Sequence, residues 1–213
     1  EAYQIPTPSM EKSLLVGDFL FVSKVNYGAR LPMTPLSVPF AHQTLPIGDI
    51  KAYSDALQLP YFRLPGFQKI KNGDVVVFNY PFELENPVDK KTNYIKRCIG
   101  IPGDELKIIN GNIFLNGNRF QDPLDREYSY KINTDGTSFN KKLLDELDIT
   151  DKEPSMSMYW MTDKTRDAIR KESNVTSIDT LIQKAEFPGQ TYPNWQGLSW
   201  SRDNFGPIYV PKA

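Results

Sequence analysis

Three times in this chain a Gly-Asp pair runs straight into β-branched, apolar or aromatic residues. These are Gly17-Asp18 before F-L-F-V-S-K, Gly73-Asp74 before V-V-V-F-N-Y, and Gly103-Asp104 before E-L-K-I-I. The pair supplies a tight turn and the run supplies a strand, so the phrase predicts turn-strand units rather than helices. Gly48-Asp49 leads into K-A-Y-S-D instead and reads as loop. Asn110-Gly111, between L-K-I-I and N-I-F-L, is the dipeptide of a two-residue hairpin turn, and Asn116-Gly117 ends the second of those strands. The turn aspartates have a sufficient structural role, so Asp18, Asp74 and Asp104 are not read as catalytic acids. Seventeen prolines and 12% aromatic residues fit the same picture of a strand- and loop-rich chain.

The remaining bounds are quickly drawn. At 213 residues the chain has room for one large domain or a core with a sizeable insertion. A formal net charge of −1 argues against general nucleic-acid binding, which needs a basic excess. No apolar run approaches the ~20 residues that cross a bilayer. The opening Glu1-Ala2-Tyr3 has no signal-peptide pattern, and its extended character predicts a segment upstream of this sequence. One cysteine, Cys98, and one histidine, His42, leave no internal disulfide and no Cys/His zinc set. A histidine-based triad would rest entirely on His42, in a proline-rich stretch that reads as loop.

Residues 27–68 are rich in proline and short apolar patches with little periodicity, and read as a long excursion with a short helix near Ile50 to Leu57. From Pro123 to Gln190 the character changes. Asn140 to Leu147 is short and amphipathic, Ser155 to Met161 alternates like a strand, Thr162-Asp163 caps a helix through Lys171, and a strand returns from Val175. These features predict a core over 1–122 with its insertion at 27–68, an inserted α+β subdomain over 123–190, and a return towards the core over 191–213.

Two stretches carry chemistry. In I-P-T-P-S-M-E-K-S-L-L-V-G-D, from Ile5 to Asp18, Pro6 and Pro8 fix φ and push Ile5 and Thr7 into extended geometry. Ser9 is therefore expected on a stiff, extended approach, a good seat for a nucleophile beside an edge that receives a peptide. The structural alternative is a proline turn leading into a strand. In N-Y-I-K-R-C-I-G-I-P-G-D, from Asn93 to Asp104, alternation puts Tyr94, Lys96 and Cys98 on one face and Ile95, Arg97 and Ile99 on the other. A lysine in that company is either an edge-strand guard against aggregation or an amine starved of water, which favours its neutral form and lets it act as a base.

Taken in order, P-S-M followed by L-L-V-G-D-F, then G-D-V-V-V-F-N-Y-P, then Y-I-K-R-C-I-G-I-P-G-D resemble bacterial type I signal peptidase, and the proline-rich insertion is similar to versions from the Bacteroidetes. The resemblance covers about half of the chain. It implies Ser9 as nucleophile, Lys96 as general base, and Thr7 with the Ser9 backbone N–H as oxyanion donors. It implies that Tyr3, Ile5, Met10, Leu14, Tyr94 and Ile95 line pockets for small residues of an Ala-X-Ala cleavage site. It further implies antiparallel coiled sheets, no cofactor and no metal. The implied partners are signal peptides of exported preproteins and a membrane surface, on the periplasmic side of the inner membrane. The family's last block, G-D-N-R-D-N-S with a following D-S-R, is not in this sequence. Ser201-Arg202-Asp203-Asn204 is reminiscent of it but lacks the Gly-Asp lead, so Asp203-Asn204 are expected to turn while Trp200 and Phe205 pack. On that reading the serine that orients the lysine lies beyond residue 213, and activity is weak or lost.

Two rivals stand beside this. Ser9-Met10-Glu11-Lys12 is a literal S-x-x-K, the opening of the penicillin-recognising fold, although no S-D-N or K-T-G follows. A non-catalytic module that captures extended peptides would also account for the Pro-stiffened edges.

Overall fold

The computed structural model describes residues 2–39, 41–45, 48, 50–123, 125–184, 191–192 and 197–212, with the side chain of residue 2 left aside. The expected loop at Asp49 and parts of the stretches 123–190 and 191–213 lie outside the described residues. The chain divides into two compact units, Glu1–Ile101 and Pro102–Ala213. Among the described residues all strand pairs are antiparallel, and the fold is rich in β-sheet with a few short helices. No helix among them is long and apolar enough to cross a membrane.

In the first unit, β1 (Ala2–Gln4) pairs with β2 (Phe19–Phe21), and β3 (Val75–Asn79) pairs with β4 (Asn93–Arg97). Strands β2 and β3 follow their Gly-Asp pairs as expected. Each aspartate closes its own turn, because Asp18 accepts from Leu15 N and Asp74 accepts from Lys71 N, both at 2.9 Å. That backbone bond, together with the Tyr27 hydroxyl, holds the Asp74 carboxyl below its ordinary value.

Between β2 and β3, the described residues of 27–68 form an irregular two-armed ribbon. Its backbone bonds nest antiparallel: Gln68 N to Asn26 O, Leu64 N to Ala29 O, Leu31 N to Phe62 O, Leu59 N to Met33 O, Ser54 N to Leu36 O, and Val38 N to Ala52 O. The arms almost touch at the base, where a Cβ on Gly66 would lie 2.6 Å from Gly28 N. The helix expected near Ile50 to Leu57 is absent. Lys51 and Tyr53 bridge Thr44 and Ser37 across the ribbon, and those cross-arm bonds replace the intrahelical ones.

The ribbon is pinned to the loop joining β3 to β4. Asp89 accepts from Met33 N, Thr34 N and the Thr34 hydroxyl at 2.8–3.0 Å. Thr34 is 1% exposed. Gln43 Nε2 donates to Lys90 O, and the Tyr53 hydroxyl donates to Asn86. The only histidine, His42, has its Nε2 3.0 Å from Lys91 O, so it serves the same seam and offers no support for a triad.

Among the described residues, the second unit holds two sheets. One has the order β12-β5-β6-β7, formed from β5 (Glu105–Ile109), β6 (Asn112–Leu115), β7 (Asn118–Arg119) and β12 (Phe205–Tyr209). Asn110 and Gly111 both take positive φ, 48° and 75°, as the two-residue turn between β5 and β6 demands. The other has the order β11-β8-β10-β9, formed from β8 (Glu127–Thr134), β9 (Lys152–Glu153), β10 (Met158–Thr162) and β11 (Val175–Thr180). Helices α1 (Lys141–Glu146) and α2 (Asp163–Ile169) accompany it. Asn140 caps α1 by accepting from Lys142 N, and Thr162 caps α2 by accepting from Thr165 N.

Alternate residues of β8 and β10 feed one core, in which Tyr130, Ile132, Tyr159 and Met161 pack with Leu144, Ile149 and Ile169. The strand expected from Ser155 begins only at Met158. Pro154 starts a 3-10 turn over Pro154–Met156, which ends on a left-handed Ser157. Ser201 to Asn204 form a turn closed by Ser201 N to Asn204 O at 2.8 Å, and the Trp200 and Phe205 rings meet at 4.8 Å.

Candidate functional site

Every residue singled out for chemistry lies in the first unit. Tyr3 is on β1. Ile5 extends the β1–β2 pairing by one step, donating to Asp18 O and accepting from Gly17 N, both at 2.9 Å. Beyond Pro6 the chain bends, and Ser9 opens a run of tight turns instead of sitting on an extended segment. Pro8 O accepts from Glu11 N at 2.8 Å, and Met10 O accepts from Ser13 N at 3.0 Å and Leu14 N at 2.7 Å. The prolines set the entry, and the residues after them, free of that restriction, curl back. Lys12 has φ of 65°, through which a helix cannot run, so the helical seat that an S-x-x-K serine needs is missing.

From β4, Lys96 reaches this turn. Its Nζ donates to Ser9 Oγ at 2.6 Å and to the Ile95 carbonyl at 3.0 Å. The same amine lies 5.7 Å from the centre of the Tyr94 ring. Tyr94 and Lys96 share a face, as the alternation predicts. The Tyr94 ring is itself held, stacked on Tyr80 at 4.5 Å and 16° and meeting Phe78 edge-on at 6.4 Å. Lys96 is half-buried while Ser9 and Thr7 are exposed, so the hydroxyl is open to an incoming group while the amine is screened on its aromatic side. Thr7 Oγ1 lies 3.4 Å from Ser9 Oγ. Ile5 and Met10 are buried, at 4% and 9% exposure, whereas Tyr3, Leu14 and Ile95 are half-buried and Tyr94 is exposed.

Sequence reasoning assigned no part to several polar groups that hold this arrangement. Arg97, on the face of β4 opposite Lys96, donates through Nη2 to Ser13 Oγ and through Nη1 to Gly73 O, each at 3.0 Å. Asn93 donates to the Tyr3 hydroxyl at 3.3 Å and so ties β4 to β1. The adjacency of Lys96 and Arg97 carried the signal: on a strand, neighbouring cations must serve opposite faces.

A hydroxyl in contact with a screened amine on a β-rich scaffold is the kind of site a hydrolase carries. The chain belongs to the signal peptidase family, peptidase S26, whose family model matches residues 1–173. Among curated proteins, the chain is 36% identical to signal peptidase I of Pseudomonas aeruginosa over 118 residues, which is 55% of this chain and 30% of that protein. It is 36% identical to signal peptidase I of Buchnera aphidicola over 107 residues, 50% of this chain and 24% of the relative. It is 28% identical to signal peptidase I of Rickettsia typhi over 142 residues, 66% of this chain and 43% of the relative. The matched stretches thus span less than half the length of these relatives. No solved structure matches the chain.

Proposed function

We propose that this chain carries the active site of a serine endopeptidase that removes signal peptides from exported preproteins after small residues, using Ser9 and Lys96. The observation that carries the reading is the 2.6 Å contact between Lys96 Nζ and Ser9 Oγ. With the amine neutral, that contact runs the other way and the hydroxyl donates to Nζ, ready to lose its proton as Oγ attacks the scissile carbonyl. The oxyanion is met by the Ser9 N–H and the Thr7 hydroxyl. The ammonium then gives its proton to the leaving amine, and water, deprotonated by Lys96, hydrolyses the acyl-enzyme.

The substrate enters as an added strand beside β1 and β4, with Tyr3, Ile5, Met10, Leu14, Tyr94 and Ile95 around its alternate small side chains. The fold that goes with this reading is a coiled antiparallel core over 1–122 with an α+β subdomain over 123–190. The protein's place is at the inner membrane, facing the periplasm, with signal peptides and the membrane surface as partners. The site needs no cofactor.

The test is cleavage of an Ala-X-Ala peptide together with acylation of Ser9 by a fluorophosphonate. Ser9→Ala and Lys96→Met abolish both, and Lys12→Ala keeps both. Peptide binding without turnover or labelling in the unaltered protein would instead favour a non-catalytic peptide-binding module. Loss on Lys12→Ala with retention on Lys96→Met would reject the dyad.

A further inference from the structure

The ribbon over 27–68 reaches the proposed substrate strand through a relay of four half-buried side chains. Arg30 Nη1 donates to Asn79 Oδ1 at 2.7 Å. Asn79 Nδ2 donates to Asn93 Oδ1 at 3.2 Å and to Lys91 O at 3.1 Å. Asn93 Nδ2 donates to the Tyr3 hydroxyl oxygen at 3.3 Å. Asn79 and Asn93 are directly paired across β3 and β4, so the relay crosses that hairpin at one rung and leaves it on the β1 side.

The relay has a direction set at its source. A guanidinium only donates, so Arg30 fixes which end of the Asn79 amide faces it. That choice fixes Asn93 in turn, and Asn93 can then present only its N–H to Tyr3. The source is held by the ribbon itself. Arg30 is bridged to Arg63 in the opposite arm, and Arg63 Nη1 donates to Gly28 O at 2.7 Å.

We infer that Arg30 is a positioning residue, through which the ribbon sets the orientation of the Tyr3 phenol and so the affinity for the peptide that lies along β1. This inference rests on the peptidase reading and gives the insertion a role in recognition. The relay does not pass through Ser9 or Lys96, so it acts on substrate binding and not on the reactivity of the serine.

Two variants test it in the intact protein. Arg30→Met keeps the side-chain stem and removes the donors. Asn79→Asp keeps, and by charge strengthens, the grip on Arg30, yet it deletes the amide that speaks to Asn93. A carboxylate there turns the Asn93 amide round, so that its oxygen faces Tyr3. The expected result is the same for both: KM for an Ala-X-Ala peptide rises about tenfold with kcat within about twofold, while the rate of Ser9 labelling by a fluorophosphonate is unchanged. The ring resonance of 13C-labelled Tyr3 also shifts in both. A ribbon that merely stabilises the fold would be damaged by Arg30→Met and spared by Asn79→Asp, which overturns the relay. Equal losses in labelling and in peptide cleavage overturn it as well. If the unaltered protein neither cleaves nor is labelled, the peptidase reading falls. The relay is then judged on the Tyr3 resonance alone, and one that stays still in both variants ends it.

Discussion

Arg97 holds Ser13 from one face of β4 while its neighbour Lys96 holds Ser9, four residues earlier in the same turn, from the other. The turn that carries the hydroxyl is therefore clasped at both ends by consecutive residues of a single strand. A shift of β4 carries both grips with it, so the distance between amine and hydroxyl is insulated from movements of the hairpin as a whole.

Removing the Arg97 grip should loosen the turn without touching Ser9 and Lys96, the proposed reacting groups. Arg97→Met and Ser13→Ala are each expected to lower kcat roughly ten- to a hundredfold, since a misplacement of about 1 Å can cost that much, with little change in KM. Steady-state cleavage of an Ala-X-Ala peptide checks this. An unchanged kcat in both variants would show that the clasp is idle.

Thr7 offers a separate measurement of the proposed oxyanion site. Thr7→Val keeps the shape and deletes the hydroxyl that lies 3.4 Å from Ser9 Oγ. The expected loss in kcat is on the order of a hundredfold, the usual effect of one missing oxyanion donor, and Thr7→Ser should restore most of it. A loss confined to KM would assign Thr7 to binding instead.

The seam between the ribbon and the β3–β4 loop should open in acid. Burial pushes the Asp89 carboxyl up, but the donors from Thr34 and Met33 outweigh it and leave it below its ordinary value. A carboxyl lowered in the folded state contributes stability that is fully present above its unfolded value and is lost as pH falls through the folded one. Protection of the Met33 and Thr34 amides against hydrogen exchange, taken relative to the intrinsic rate at each pH, should therefore fall at pH below the ordinary aspartate range. In Asp89→Asn that protection should be low and insensitive to pH. Equal protection at pH 7 and in acid would show that the carboxylate does not hold the ribbon.

The second unit has its own core, and Ile169, at the end of α2, is fully buried in it. Ile169→Ala is expected to cost roughly 2–5 kcal/mol, as deletion of a buried aliphatic side chain does. Chemical denaturation followed by tryptophan fluorescence at Trp160 in β10 reads the loss. A change below about 1 kcal/mol would mean that the site collapses around the smaller residue.

Much of this was legible in residues whose local chemistry leaves little choice. Asn110-Gly111 and the Gly-Asp pairs dictate positive φ or tight turns, and the structure has them. Asn140 and Thr162 cap α1 and α2 because a short side-chain oxygen before an amphipathic run has few other uses. Strand alternation was enough to put Tyr94 and Lys96 on one face. Strand β8, E-Y-S-Y-K-I-N-T, carried a readable period of two through Tyr128, Tyr130 and Ile132 that the reading of 123–190 passed over. The ribbon was not legible, because its arms are held by cross-arm backbone bonds and by carboxylate and amide grips, none of which imposes a period on the sequence. The turn at Ser9 escaped for a related reason: Pro6 and Pro8 restrict the residues before them, and nothing in Met10 to Ser13 announces which way the chain bends next.

The nested pairing of the ribbon makes its two arms interdependent in length. Because Met33 and Thr34 answer to Asp89 across the seam while Leu59 N keeps the opposite arm in step with Met33 O, one residue added to a single arm between Leu31 and Met33 would put the arms out of step and draw Thr34 away from Asp89. Matched changes in both arms, nearer the tip than Val38 and Ala52, leave those partners where they are. Lone insertions close to Gly28 and Gly66 would therefore unfasten the ribbon, whereas paired gains and losses far from the base would keep the grip of Asp89 on Thr34.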